Sequence, residues 1–276
     1  MRARVVLAAM AVAAVFAGAA EAAPRYTALG DSFAAGPLIP NPVAPLGCLK
    51  SSNNYGRIAQ RTLAFAEYRD ATCSGAETED MFAPQNVSPG GPNPPQLDSL
   101  SADTRLVTLT IGGNDIGFSD LAQDCVSVWP FGSPCRDRYT RGGDQISALI
   151  AATASRVDAV LDAMRLRSPL AKVLVVNYSA ILPHSGSGCW PRMPVTPRDV
   201  AWLRSKHVEL NGMLAQQAAA NGAVIVDVYG ASVGRDACAG SGTRWVEPYI
   251  PGNAAAPLHP NLRGMQAMAA MVVANR

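Results

Sequence analysis

The sequence predicts an α/β protein built on a parallel, doubly wound sheet of five strands. Three observations point that way. Five short runs rich in β-branched and apolar residues alternate with helical segments along the chain. One of them, Lys172-Val-Leu-Val-Val-Asn177, is almost continuously apolar, as expected of a strand covered by helices on both faces. Three of the runs lead into small polar clusters, and parallel sheets bind their ligands beyond the C-terminal ends of the strands.

The first strand is Arg25-Tyr-Thr-Ala-Leu29, stopped by the turn residues Gly30-Asp31-Ser32. A Pro-rich loop follows at 37–47, and Asn53 or Asn54 then caps a helix running to about Ala66, with Tyr55, Ile58, Ala59 and Leu63 on one face. Tyr68 to Thr72 is the second strand and gives way to Cys73-Ser74-Gly75. Five prolines between 84 and 96 exclude regular structure there. The third strand, Arg105 to Ile111, runs into Gly112-Gly113-Asn114-Asp115. A long helix over 144–167 carries Ile146, Leu149, Ile150, Val157, Val160, Leu161 and Met164 at helical spacing and ends before Pro169. After the fourth strand, Lys172–Asn177, Thr196 caps a helix over 197–220 with Pro197 in its first turn. Ala223–Val228 is the fifth strand. Asn261 caps a closing helix over 261–274.

The chain begins with Arg2 and Arg4, an apolar run from Val5 to about Ala20, and Ala20-Glu21-Ala22 before Ala23-Pro24. That layout reads as a signal peptide over residues 1–22, leaving a single domain over 23–276 that is exported. The formal charge is +2, and +1 once Arg2, Arg4 and Glu21 are removed, which is no footprint for nucleic acid. All six cysteines lie after the leader, at 48, 73, 125, 135, 189 and 238, and an even number in an exported chain reads as a disulfide framework. Sequential pairing, Cys48–Cys73, Cys125–Cys135 and Cys189–Cys238, is favoured because each pair brackets a Pro/Gly-rich or polar loop. There is no Cys-x-x-Cys pair and the three histidines are scattered, so no metal site is expected.

Ser32 falls at a strand-to-helix turn, where backbone N–H groups face outward and a nucleophile that must stabilise an oxyanion belongs. Among the histidines, His184 sits in a Gly/Ser loop and His207 in a polar stretch of helix. His259, in Pro257-Leu258-His259-Pro260-Asn261, is held between two prolines that restrict its backbone, which suits a general base.

Taken together, Gly30-Asp31-Ser32-Phe33, Gly75, Gly112-Gly113-Asn114-Asp115 and His259 resemble the blocks of the GDSL or SGNH hydrolase family, and most of all its secreted actinobacterial lipases and esterases with three disulfides. The resemblance spans nearly the whole mature chain. It implies a flavodoxin-like three-layer α/β/α sandwich, the SGNH hydrolase fold. It also implies that Ser32 is the nucleophile and His259 the base, with an oxyanion hole made of the Ser32 and Gly75 N–H groups and the Asn114 amide.

One position departs from the family. An Asp usually stands three residues before the histidine, and here that residue is Ala256. A Ser–His dyad is therefore expected, with the carbonyl of Ala256 or a close neighbour on His259 Nδ1, or else a distant carboxylate, Glu247 or Asp31. The expected activity is hydrolysis of carboxylic esters, fatty-acyl esters or phospholipids, through an acyl-enzyme and without a cofactor. The alternatives are a polysaccharide O-acetyl esterase and a non-catalytic ligand-binding protein of this fold. The expected partner is a small-molecule or lipid ester substrate, with no nucleic acid and no stable membrane anchor after signal cleavage, and the expected state is a monomer. Leu38, Ile39, Val43, Val126, Val128, Trp129 and Phe131 are candidates to line an acyl groove.

Overall fold

The computed structural model describes residues 24–276; the leader read from residues 1–22 lies outside them. The elements in chain order are β1 (Arg25–Gly30), α1 (Ser32–Ala35), β2 (Pro42–Val43), β3 (Lys50–Ser51), α2 (Tyr55–Leu63), β4 (Glu67–Asp70), β5 (Thr104–Thr110), α3 (Phe118–Asp124), α4 (Arg136–Tyr139), α5 (Gln145–Arg167), β6 (Lys172–Val176), α6 (Pro197–Ala220), β7 (Val224–Val226), α7 (Val228–Ala231) and α8 (Leu262–Ala274). The main sheet has five strands in the order β4-β1-β5-β6-β7, parallel throughout, and β2 with β3 forms a short separate ribbon. That order is flavodoxin-like, and its switch point lies between β1 and β5.

Alternation along each strand builds the layers. Val107 and Leu109 of β5 and Val175 of β6 join a core with α5 and α6. Leu106 of β5 and Leu174 and Val176 of β6 face the opposite way, into a core with α2 and α8. The helices start where side-chain caps dictate: Asn54, Asp144, Thr196 and Asn261 each accept a backbone N–H of the first turn of α2, α5, α6 and α8. The helix expected to reach Ala66 stops at Leu63, because Ala64 takes a left-handed conformation, φ 53°, and closes the end.

Disulfides join Cys48 to Cys73, Cys125 to Cys135 and Cys189 to Cys238. No helix among the described residues is long and apolar enough to cross a membrane.

Candidate active site

Ser32 is the first residue of α1, just past the end of β1. Asp31 caps this turn: its Oδ1 accepts the Phe33 N–H at 2.9 Å, and its own N–H bonds the Thr110 carbonyl of β5 at 2.9 Å. Gly30 allows the approach of the two strands. A Cβ there would lie 2.4 Å from the Thr110 carbonyl oxygen, and its φ is +142°. Buried Gln96 clamps the same residue, accepting the Gly30 N–H at 2.7 Å and donating to the Gly30 carbonyl at 3.0 Å.

His259 precedes α8, and its Nε2 lies 2.7 Å from Ser32 Oγ. The carbonyl on its Nδ1 is that of Pro257, at 2.7 Å. This corrects the expectation for Ala256, whose carbonyl accepts the His259 backbone N–H instead, at 3.2 Å. The reason is the turn at Leu258, whose left-handed φ of 63° swings the residue-257 carbonyl back over the imidazole. Burial lowers the imidazole pKa below 6.5, against the opposing effect of the Pro257 carbonyl.

Neither distant carboxylate hydrogen-bonds the imidazole. Glu247 is fully buried and faces Arg244, with bonds of 3.0 and 2.8 Å, together with the amides of Asn253 and Asn261 at 2.7 Å each and the Gly252 N–H at 2.8 Å. Burial would raise its pKa, but these donors outweigh it and hold the carboxyl at about 2. Its backbone brackets the histidine, donating to the His259 carbonyl at 3.0 Å and accepting the Leu258 N–H at 3.0 Å. Asp31 Oδ2 accepts the Tyr178 hydroxyl, which in turn accepts the Gly113 N–H at 2.7 Å. Burial raises Asp31 to about 7 in spite of these bonds.

The two other turns come to the same edge. Gly75, φ +80°, follows Cys73, whose N–H bonds the Gly30 carbonyl at 2.9 Å, and the Ser74 N–H bonds the Cys48 carbonyl at 3.0 Å. Asn114 donates one amide hydrogen to the Ala76 carbonyl at 2.8 Å, which leaves the second available. Asp115 ties the turns together by accepting the Thr78 N–H and hydroxyl. Among the described residues, the N–H groups of Ser32 and Gly75 have no hydrogen-bond acceptor.

A cavity of about 320 Å³ opens at Ser32 and His259, and its walls include Phe118, Ala122, Ile181, Leu210, Tyr249 and Leu258. The residues expected to line an acyl groove do not. Ile39 is buried in the core with α2 and α8, while Val128, Trp129 and Phe131 are 89%, 60% and 80% exposed. The wall instead comes mainly from α3, from the segment after β6, from His207 and Leu210 of α6 and from the segment before α8. Tyr178, Gln96 and Thr78 were missed because their partners lie 147, 66 and 37 residues away, beyond any local pattern.

A parallel sheet carrying a Ser–His pair at its switch point, beside two turns that present free donors, defines the class as an α/β/α-sandwich hydrolase. Residues 28–267 match the GDSL-like lipase/acylhydrolase family, and the chain belongs to it as a lipase/esterase, a carboxylic ester hydrolase. It is 39% identical to Lipase 2 of Streptomyces coelicolor over 93% of this chain and 88% of that one. Among solved structures, it resembles phospholipase A1 from Streptomyces albidoflavus, with 26% identity, a TM-score of 0.74 and coverage of 92% of this chain and 99% of that one. The extracellular lipase from Streptomyces rimosus superposes at a TM-score of 0.75 with 27% identity, covering 92% and 99% of the two chains.

Proposed function

We propose that the protein is a secreted lipase or esterase that hydrolyses fatty-acyl esters, phospholipids among them, through an acyl-enzyme on Ser32 with His259 as the base. The 2.7 Å contact between Ser32 Oγ and His259 Nε2 carries this reading. With the Pro257 carbonyl accepting the Nδ1–H, Nε2 is the nitrogen free to take a proton. As the serine oxygen attacks the ester carbonyl, Nε2 takes the serine proton, and the oxyanion meets the Ser32 and Gly75 N–H groups and the free Asn114 hydrogen. The imidazolium gives its proton to the departing alcohol. Water then attacks the acyl-enzyme with the same base, releasing the acid and restoring Ser32.

The imidazolium is supported here by a carbonyl dipole and not by a carboxylate. Glu247 acts from behind by fixing the backbone on either side of the histidine. Long acyl chains are favoured over acetyl by the apolar walls of the cavity beside the serine. Export is supported by the leader-like sequence before Ala23 and by the pairing of every cysteine in a disulfide.

The test compares wild type with Ser32→Ala on p-nitrophenyl esters of increasing chain length. The variant is expected to lose hydrolysis while keeping its circular dichroism spectrum. Equal hydrolysis by both proteins would refute the mechanism, and a preference for acetate would favour the O-acetyl esterase reading.

A further inference from the structure

The Gly75 N–H, read above as an oxyanion donor, belongs to a peptide unit that the main chain around it does not fix. Cys73 to Ala76 form a turn closed by the Ala76 N–H on the Cys73 carbonyl at 3.2 Å, and the Ser74 N–H bonds the Cys48 carbonyl at 3.0 Å. Those bonds hold the Cys73–Ser74 and Gly75–Ala76 peptides and leave the Ser74–Gly75 peptide between them able to turn over. Gly75, φ +80°, is the third residue of the turn, the signature of type II. A type I turn closes the same four residues with the same bond but with its central peptide reversed, and glycine is at home in both. In the reversed form the Gly75 N–H would point the opposite way.

Among the described residues, the Ser74 carbonyl has one partner, the Gln85 side chain, whose Nε2 donates to it at 2.9 Å. The C=O and N–H of a trans peptide point in opposite directions, so a donor that holds the carbonyl on one side aims the N–H to the other. Gln85 is itself anchored, its backbone exchanging two hydrogen bonds of 2.9 Å with Asn93. Its Oε1 is buried without a partner, and turning the amide over would set that oxygen against the Ser74 carbonyl. A hydrogen bond on the carbonyl also polarises the peptide and strengthens its N–H as a donor. We propose that Gln85 is a positioning residue for ester hydrolysis: by holding the Ser74 carbonyl it keeps the turn in its type II form and aims the Gly75 N–H at the oxyanion. The inference rests on the reading above, in which Gly75 and Asn114 supply donors to that oxyanion.

The experiment compares wild type, Gln85→Met, Gln85→Glu and Asn114→Ala by kcat and KM on p-nitrophenyl octanoate, and by the inhibition constant of an alkylboronic acid, whose tetrahedral adduct on Ser32 imitates the oxyanion. Gln85→Met keeps the length of the side chain without its donor. Its kcat should fall by about tenfold, the worth of one hydrogen bond, with KM unchanged, and the boronate should bind more weakly by the same factor. Gln85→Glu keeps the shape but, at mildly alkaline pH, sets a carboxylate against the Ser74 carbonyl, so it should lower kcat further than Gln85→Met; a role in packing alone predicts the reverse order. Wild-type kcat in Gln85→Met, or a glutamate variant that is the milder of the two, would overturn the proposal while Asn114→Ala remained impaired. Undiminished kcat in Asn114→Ala would strike at the oxyanion reading itself, and the inference would fall with it. Should neither Gln85 variant fold, the side-chain amide of Gln85 in isotope-labelled wild type decides by nuclear magnetic resonance: slow hydrogen exchange of one of its two protons supports the clamp, and fast exchange of both counts against it.

Discussion

At the scale of single residues, the site works by pairing each reactive group with a partner that limits what it can do. His259 has its pKa lowered by burial, so it remains a neutral base at mildly acidic pH. The acid limb of kcat/KM against pH should therefore have its midpoint below 6.5, and a midpoint at or above that value would contradict the assignment. Asn114→Ala removes one of the proposed oxyanion donors, so kcat should fall by about 10²–10³ with KM little changed. Tyr178→Phe leaves the Gly113 N–H and the buried Asp31 carboxyl short of a partner, and chemical denaturation should show a loss of about 1–3 kcal/mol.

At the scale of elements, the loops that bear the site are tied to one another as well as to the sheet. The Cys48–Cys73 bridge closes 25 residues and holds the turn before Gly75, so replacing both cysteines by serine should cost about 3 kcal/mol in urea unfolding. It should also lower kcat more than removal of Cys189–Cys238 does, because of these two bridges the first is the one that reaches the turn at Gly75, the proposed oxyanion donor. Local chemistry made many elements legible in advance. Thr196 with Pro197 marks the start of α6, and the apolar run at 172–176 reads directly as a buried strand. The helix α3 was not legible, since it follows a left-handed Gly117 without a side-chain cap and is mostly polar outside Phe118, Leu121 and Ala122. With α3 unread, the residues that it places in the wall of the cavity beside Ser32 were not among the candidates for an acyl groove. The blocks around Ser32, Gly75, Asn114 and His259 were visible as motifs, whereas the turn that hands His259 to Pro257 depends on the φ of Leu258, which no residue type there requires.

At the scale of the whole molecule, two buried carboxyls give stability opposite dependences on pH. Glu247 is depressed from 4.5 to about 2, so its contribution is present above 4.5 and is lost as pH falls towards 2. Asp31 is raised from 3.8 to about 7, so its contribution is present below 3.8 and is lost as pH rises towards 7. Glu247→Gln should flatten the acid limb of stability and, by leaving Arg244 buried and unpaired, cost about 3–5 kcal/mol at neutral pH. Asp31→Asn should flatten the descent between 3.8 and 7, as read by thermal melts across that range. The fold brings together at one sheet edge a serine from the end of β1, donors from the turns after β4 and β5, and a histidine from the segment before α8. Labelling with a fluorophosphonate, followed by peptide mass spectrometry and a parallel assay of ester hydrolysis, tests this assembly most directly. The account predicts one phosphonyl group per chain, located on Ser32, with hydrolysis lost in proportion to labelling and labelling abolished in His259→Ala; label on another residue, or full hydrolysis by a fully labelled protein, would contradict it.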